Sequence, residues 1–291
     1  MNIYVIGCGG IGGYLCQMLP MSIVSVSLDA IAKHYDQSMV QDILINAGSV
    51  VIPSIVDSIT LVDGDVFEPK NAIRQGEGAG SKISHRLKGI IESVPRQTFL
   101  QNMVVKGVAS YINPTNMEQI IPMVPPFNKD NMESHNRLSY KVIEGIGENR
   151  YNTTVIFLGV DNLKTRYELS KYAERFDNVI VINGGNSKTT GHVTVYERAR
   201  NVALDPNLYE VYPEVAAGTD KRPDEIACGE ISPEHDQIAI TNSMIANVMM
   251  AVFNRWVRDG LTAPNGRRVN EVNIDFDAFL MSSRSNKITN K

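Results

Sequence analysis

The chain has 291 residues, 43% of them hydrophobic and 21% charged, the composition of a globular protein with a core and not of a disordered or fibrous one. A formal net charge of -4 and a pI near 5.8 argue against a nucleic-acid partner, whose binder carries a basic stripe to neutralise phosphates. The three cysteines, Cys8, Cys16 and Cys228, form no CxxC pair, and the five histidines (His34, His85, His135, His192, His235) lack metal-ligand spacing. Neither a disulfide scaffold nor a zinc site is therefore expected, and a reducing, cytoplasmic compartment fits.

The segment Asn2 to Ile6 has no basic n-region or long apolar stretch, so no secretory signal is expected. Apolar runs such as Thr154 to Val160 and Asn178 to Ile182 are too short to cross about 30 Å of hydrocarbon, so no membrane span is expected. Ile3 to Ile6 predicts a strand entering Gly7-Cys8-Gly9-Gly10-Ile11-Gly12-Gly13, and helix-compatible residues resume from Tyr14 to Leu19. Ser22 to Leu28 predicts a second strand. Ala30 to Ala47 predicts a helix through Ile31, Tyr35, Met39, Ile43 and Leu44, with Gly48 placed to cap it.

Ser58 to Val62 predicts a strand ending in Asp63-Gly64-Asp65, Ser81 to Ser93 a helix stopped by Pro95, and Val104 to Tyr111 another strand. The segment from Asn113 to Arg150 is rich in Pro, Asn and charge without a sustained period, and reads as loop placed to cover a site. Thr153 to Gly159 predicts a buried strand, Asp161 to Arg175 a helix and Val179 to Asn183 a strand, continuing a βαβ rhythm. Gly191 to Glu197 alternates with the period of a half-buried strand, where the sheet is expected to turn antiparallel. Beyond the polar stretch Asp205 to Asp224, Ile238 to Trp256 is the strongest amphipathic helix. Val272 to Leu280 predicts a final strand and Met281 to Lys291 a loose tail.

The rhythm predicts an α/β fold with a Rossmann-like, mostly parallel sheet flanked by helices and an antiparallel C-terminal extension. Residues 1–280 read as a single nucleotide-binding domain with insertions near 22–57 and 113–150.

Gly7, Gly9 and Gly12 form G-x-G-x-x-G between a strand and a helix, the context in which backbone amides approach a phosphate at a helix N-terminus. The same loop serves NAD, and Asp29 lies near the spacing expected of a ribose-binding acid, so an NAD(P)-dependent oxidoreductase is one reading. A non-catalytic nucleotide-binding scaffold is another. A second constellation, from Leu61 to Gln75, has no use in a dehydrogenase: a strand ending in Asp63 places a carboxylate on ribose, and Asn71, Arg74 and Gln75 return polar groups to the phosphates. Arg74 would neutralise charge on a triphosphate. Asp161 also reads as an N-cap, since an acid after a strand caps the following helix well.

Taken in order, the glycine loop, the D-x-D of Asp63 and Asp65, the N-x-x-R-Q of Asn71, Arg74 and Gln75, a lysine, and the pair Asp161-Asn162 closely resemble the ThiF/MoeB type of the ubiquitin-activating (E1-like) adenylyltransferase superfamily. Arg166 and the stretch Gly191 to Tyr196 extend the resemblance across most of residues 1–280. It implies a ThiF fold, ATP and Mg²⁺ as cofactors, and activation of the C-terminal carboxylate of a ubiquitin-like protein or peptide as an acyl-adenylate. It implies that Gly7, Gly9, Gly10, Gly12, Asp63, Asp65, Asn71, Arg74, Gln75, Lys82, Asp161 and Asn162 bind the nucleotide, with Asp161 on the metal. Arg74, Lys82 and Asp161 would act in catalysis. Lys88 is a second candidate for the phosphate lysine.

Cys228 falls where relatives carry a crossover loop with a reactive cysteine, and would take the acyl group; Cys8 and Cys16 read as packing residues. A homodimer is implied as well. The chain departs from the pattern in its additional residues between the glycine loop and Asp63, in lacking paired CxxC motifs, and in having no helix before its first strand to lend an arginine to a partner subunit.

Overall fold

The computed structural model describes residues 1–32, 54–67, 80–93, 103–123, 152–218, 220–222, 225, 239–263, 265–287. In chain order the elements are β1 (Asn2–Ile6), α1 (Gly10–Ala32), β2 (Ser58–Val62), α2 (Lys82–Ser93), β3 (Val104–Val108), α3 (Met117–Ile120), β4 (Thr154–Leu158), α4 (Leu163–Ala173) and β5 (Val179–Asn186). They continue as β6 (Thr190–Ala199), β7 (Val202–Ala203), α5 (Leu208–Val211), α6 (Pro213–Ala217), α7 (Ala239–Asp259), β8 (Glu271–Asp275) and β9 (Leu280–Arg284).

Among the described residues these strands form one sheet, ordered β3-β2-β1-β4-β5-β6-β8-β9 with β7 beside β6. The pairs among β3, β2, β1, β4 and β5 are parallel, and from β5 onward the pairing is antiparallel. This is the expected α/β fold. Strand order reverses between β1 and β4, so a crevice opens beyond their C-terminal ends, where open α/β sheets bind ligands.

The parallel strands β1, β2, β4 and β5 are buried on both faces, which explains their nearly continuous apolar sequences, whereas β3 at the edge of the sheet is largely exposed. In β1, Ile3 and Val5 face a core shared with α1, α2 and α7, whereas Tyr4 and Ile6 face one shared with α3 and α4. The antiparallel end is held from beneath by a buried ionic group. Arg268 pairs with Glu197 and with Asp205 (2.5 Å), and Trp256 Nε1 donates to Glu197 at 2.8 Å.

The strand expected at Ser22 to Leu28 is instead part of α1. Leu15, Leu19, Ile23, Val26 and Ala30 are buried at helical spacing, and that face packs on α7. The packing carries the helix through Pro20. The Ala30 to Ala47 helix lies outside the described residues beyond Ala32. By length and composition α1 is apolar enough to cross a membrane, with a mean hydropathy of 1.4 over its apolar window, so the expectation drawn from the shorter runs does not extend to it. Residues 281–284, expected in a loose tail, belong to β9, which pairs along β8 from Asp275↔Leu280 to Glu271↔Arg284.

Gly89 lies in the exposed middle of α2 with open space where a Cβ would stand. Gly89→Ala is expected to stabilise the protein by about 1 kcal/mol through helix propensity alone, read as a raised denaturant midpoint at constant slope.

Candidate active site

The crevice is built from the turns after β1, β2, β3 and β4. Gly7 adopts a left-handed φ of 82°, and a Cβ there would lie 2.9 Å from the Gly159 carbonyl, so the turns after β1 and β4 are in direct backbone contact. Gly159 N donates to Ile6 O and Gly7 N to Val62 O, both at 2.9 Å, which ties these turns to β2. The loop then enters α1, whose first-turn N–H groups from Gly9 to Gly12 have no acceptor within the helix and carry its positive dipole end.

Asp63 closes the turn from the other side. Its Oδ2 accepts the Cys8 N–H at 2.6 Å and its Oδ1 the Asp65 N–H at 2.8 Å. Burial raises its carboxyl above the usual range, with the Lys82 charge opposing that shift. Asp63 is thus first a clamp on the glycine loop, and only its remaining lone pairs face a ribose. Asp65, its side chain 43% exposed, accepts from Lys82 Nζ at 2.7 Å and from the Tyr111 hydroxyl.

Of the two lysine candidates, the structure brings Lys82 into the crevice. Lys88 stands 73% exposed further along α2, paired with Glu92.

Asp161 follows β4 on the opposite wall. The cap of α4 is Asn162, whose side chain accepts the Thr165 N–H at 2.8 Å, and Asp220 takes the N–H groups of Leu163 and Lys164. Asn162 is thereby committed to the helix. The Asp161 carboxylate makes no hydrogen bond or ion pair among the described residues and is exposed. Behind it Arg166 is buried, donating to Asn183, Val160 O and Gly184 O, and burial lowers its pKa to about 10. It is a strut between β4 and β5.

Beyond Asp161 lies a groove of about 610 Å³ over the antiparallel strands, with Asn186, His192, Tyr212, Asn273 and Arg284 among its lining residues. It exists because β5 outruns β4. Gly184 to Asn186 have partners on β6 but none on β4.

His192 stacks on Tyr212 with centroids 5.2 Å apart, and Gly185 has no Cβ to collide with the ring. Burial lowers the His192 pKa to about 4, helped by the Arg166 charge and opposed by Glu271 and Glu214. The unfolded chain, with an ordinary histidine near 6.5, binds this proton more readily between those values, so stability falls as pH drops through that window. From pH 7 to pH 4 this group is expected to cost roughly 3 kcal/mol. The gap between urea-unfolding curves of wild type and His192→Gln across that range measures it; parallel curves would refute the assignment.

Asp29, the acid of the dehydrogenase reading, is on α1 and pairs with Arg258 of α7 at 2.7 Å. The dinucleotide role needed it at the end of a strand beside the glycine loop, a place it does not occupy. Asn71, Arg74, Gln75 and Cys228 lie outside the described residues. Cys8 and Cys16 are free and buried, and the hydrogen bond with Cys16, together with burial, pushes the Cys8 thiol well up, in keeping with packing roles.

Several site residues carried no sequence signal. Tyr111 lays its ring over Gly64, and after burial its phenol is raised by Asp65, Asp63 and Asp161, which sets both walls of the crevice around one hydroxyl. Arg86 is buried against Gly13, where a Cβ would come 2.4 Å from its guanidinium, and it donates to Cys8 O at 3.4 Å. Only pairs of small and large residues far apart in sequence could have pointed to either.

ATP and Mg²⁺ fit the residues present. The first turn of α1 and Lys82 supply donors for phosphates. Among the described residues there is no cluster of acids and histidines to cage a metal, whereas a single carboxylate completed by phosphates and water is the ordinary manner of binding Mg²⁺.

No protein-family model matches the sequence, and no curated protein matches it. Solved structures do. E. coli MccB with ATP has a TM-score of 0.56 at 14% identity, covering 98% of this chain and 63% of that one. MccB with AMPCPP and MccA gives 0.55 at 14%, with the same coverage, and PaaA gives 0.53 at 13%, again over 98% and 63%. The chain therefore spans 63% of the length of these proteins. At such identity the likeness establishes the fold, which is the ThiF type implied by the motif series.

Proposed function

We propose that this protein is an ATP-dependent adenylyltransferase that activates the C-terminal carboxylate of a peptide or small protein. The observation that carries the reading is the position of Asp161: its carboxylate stands where the glycine-loop crevice meets the groove over β5, β6, β8 and β9. A triphosphate laid on α1 and an acceptor tail laid in the groove would meet beside it. MccB, of this fold, has been solved with ATP and with the MccA peptide, which supports a nucleotide and a peptide as the two ligands.

In the reaction, a carboxylate oxygen of the acceptor attacks the α-phosphorus. The bond from that phosphorus to the oxygen bridging to the β-phosphate breaks, and acyl-adenylate and pyrophosphate form. The backbone amides of α1 hold the nucleotide in line, and Lys82, exchanging Asp65 for a phosphate, offsets charge on the leaving group. Bound Mg²⁺ would supply further charge neutralisation, with Asp161 as its protein ligand.

On the motif resemblance, Asn71, Arg74 and Gln75 are assigned to the phosphates and Cys228 to capture of the acyl group. A homodimer in a reducing cytoplasmic compartment completes the proposal.

Pyrophosphate exchange tests the reading. Labelled pyrophosphate is expected to enter ATP only with Mg²⁺ and an acceptor peptide ending in a free carboxylate, and amidation of that end should abolish it. Thermal stabilisation by NADH, with none by Mg·ATP, would overturn adenylation in favour of the dehydrogenase.

A further inference from the structure

Asn242, in the first turn of α7, joins the two halves of the site. It is wholly buried. Its Oδ1 accepts from Asn186 Nδ2 at 2.8 Å, and Asn186 lines the groove. That bond sets the other end of the amide against the glycine loop, where a Cβ on Gly10 would lie 2.5 Å from Asn242 Nδ2. Glycine at this position leaves the amide facing the start of α1 with no side chain between them.

Nδ2 has no hydrogen-bond partner among the described residues. Native proteins keep few buried donors in that condition, because the desolvation of the N–H is not recovered. The helix it faces at Gly10 is α1, whose first-turn N–H groups also lack an acceptor within the helix and carry its positive end. A buried, unpaired donor set against the start of a helix with a positive end calls for an anion.

Resting on the adenylating reading, we propose that Asn242 is a nucleotide-binding residue whose Nδ2 donates to a phosphoryl oxygen of ATP lying across the first turn of α1, while Asn186 holds its amide in the donating orientation. The phosphate fits better than the acceptor's carboxylate, because the orphaned Nδ2 is the amide atom nearest Gly10, and it is Asn186, not Asn242, that lines the groove.

The experiment is calorimetric titration of Mg·ATP into the full chain as wild type, Asn242→Ala and Asn242→Asp, with urea unfolding of each unliganded protein. Asn242→Asp keeps the shape and an acceptor for Asn186, removes the donor and adds a carboxylate, which can only oppose a phosphoryl oxygen further. Both variants are expected to bind Mg·ATP roughly tenfold to a hundredfold more weakly, the loss of one hydrogen bond to a charged group. Unliganded Asn242→Ala also removes the acceptor of Asn186, so its urea midpoint reads the structural part of the role, and the Mg·ATP affinity reads the binding part.

Wild-type affinity in Asn242→Asp overturns the inference, whatever Asn242→Ala does, and leaves adenylation standing. A wild-type protein that ignores Mg·ATP ends both.

Discussion

Gly12→Ala is expected to destabilise the protein by at least about 3 kcal/mol and to abolish nucleotide binding in whatever fraction folds. A Cβ at Gly12 would stand 1.7 Å from the Gly7 carbonyl oxygen, and that oxygen cannot retreat. Gly7 is held on one side by its N–H bond to Val62 and on the other by contact with Gly159. The strain would pass to the Cys8 amide, and through it to Asp63, so one methyl group disturbs three turns together. Urea unfolding measures the first effect and Mg·ATP titration the second. Gly89→Ala, the same chemical change in open space, is the control of opposite sign.

Asp161→Ala is expected to lower pyrophosphate exchange by roughly a hundredfold or more, the scale of losing a group that holds charge in the transition state. Stability should be unchanged, because the carboxylate is exposed, has no partner among the described residues and does not cap α4. Asn162→Ala, one residue away, should do the reverse, costing about 1 kcal/mol of stability as the lost cap of α4. Exchange within about twofold of wild type in Asp161→Ala would remove Asp161 from the reaction; such a change is well under 1 kcal/mol of barrier.

The strands β1, β2 and β4 were readable because each is a short apolar run ending in residues with turn chemistry: Gly7, Asp63-Gly64 and Gly159. The positions of Lys82 and Asp161 at the crevice were readable for the same reason, since both lie next to the ends of elements. Ser22 to Leu28 was misread because its serine and β-branched residues suit a strand locally, while packing on α7 requires burial at Ile23, Val26 and Ala30. Tertiary contact outweighed local preference there. The Arg86 and Gly13 pair and the Asn186 and Asn242 bond join residues 73 and 56 positions apart (86 − 13 and 242 − 186), a spacing that no local period encodes. Asp161 taken as a cap shows a finer limit: two adjacent residues both suit the role, and only the observed bond to Thr165 decides.

The groove arises from the unequal lengths of β4 and β5, with one wall formed by Asn273, Ser282 and Arg284 on the hairpin of β8 and β9. Among the described residues that hairpin is hydrogen-bonded along β6, and no hydrogen bond joins it to the turns after β1 and β4. If the proposed function holds, lengthening or recolouring the hairpin would alter which tails fit without changing the turn that cradles the phosphates, and the two properties could drift apart in descendants or be engineered one at a time.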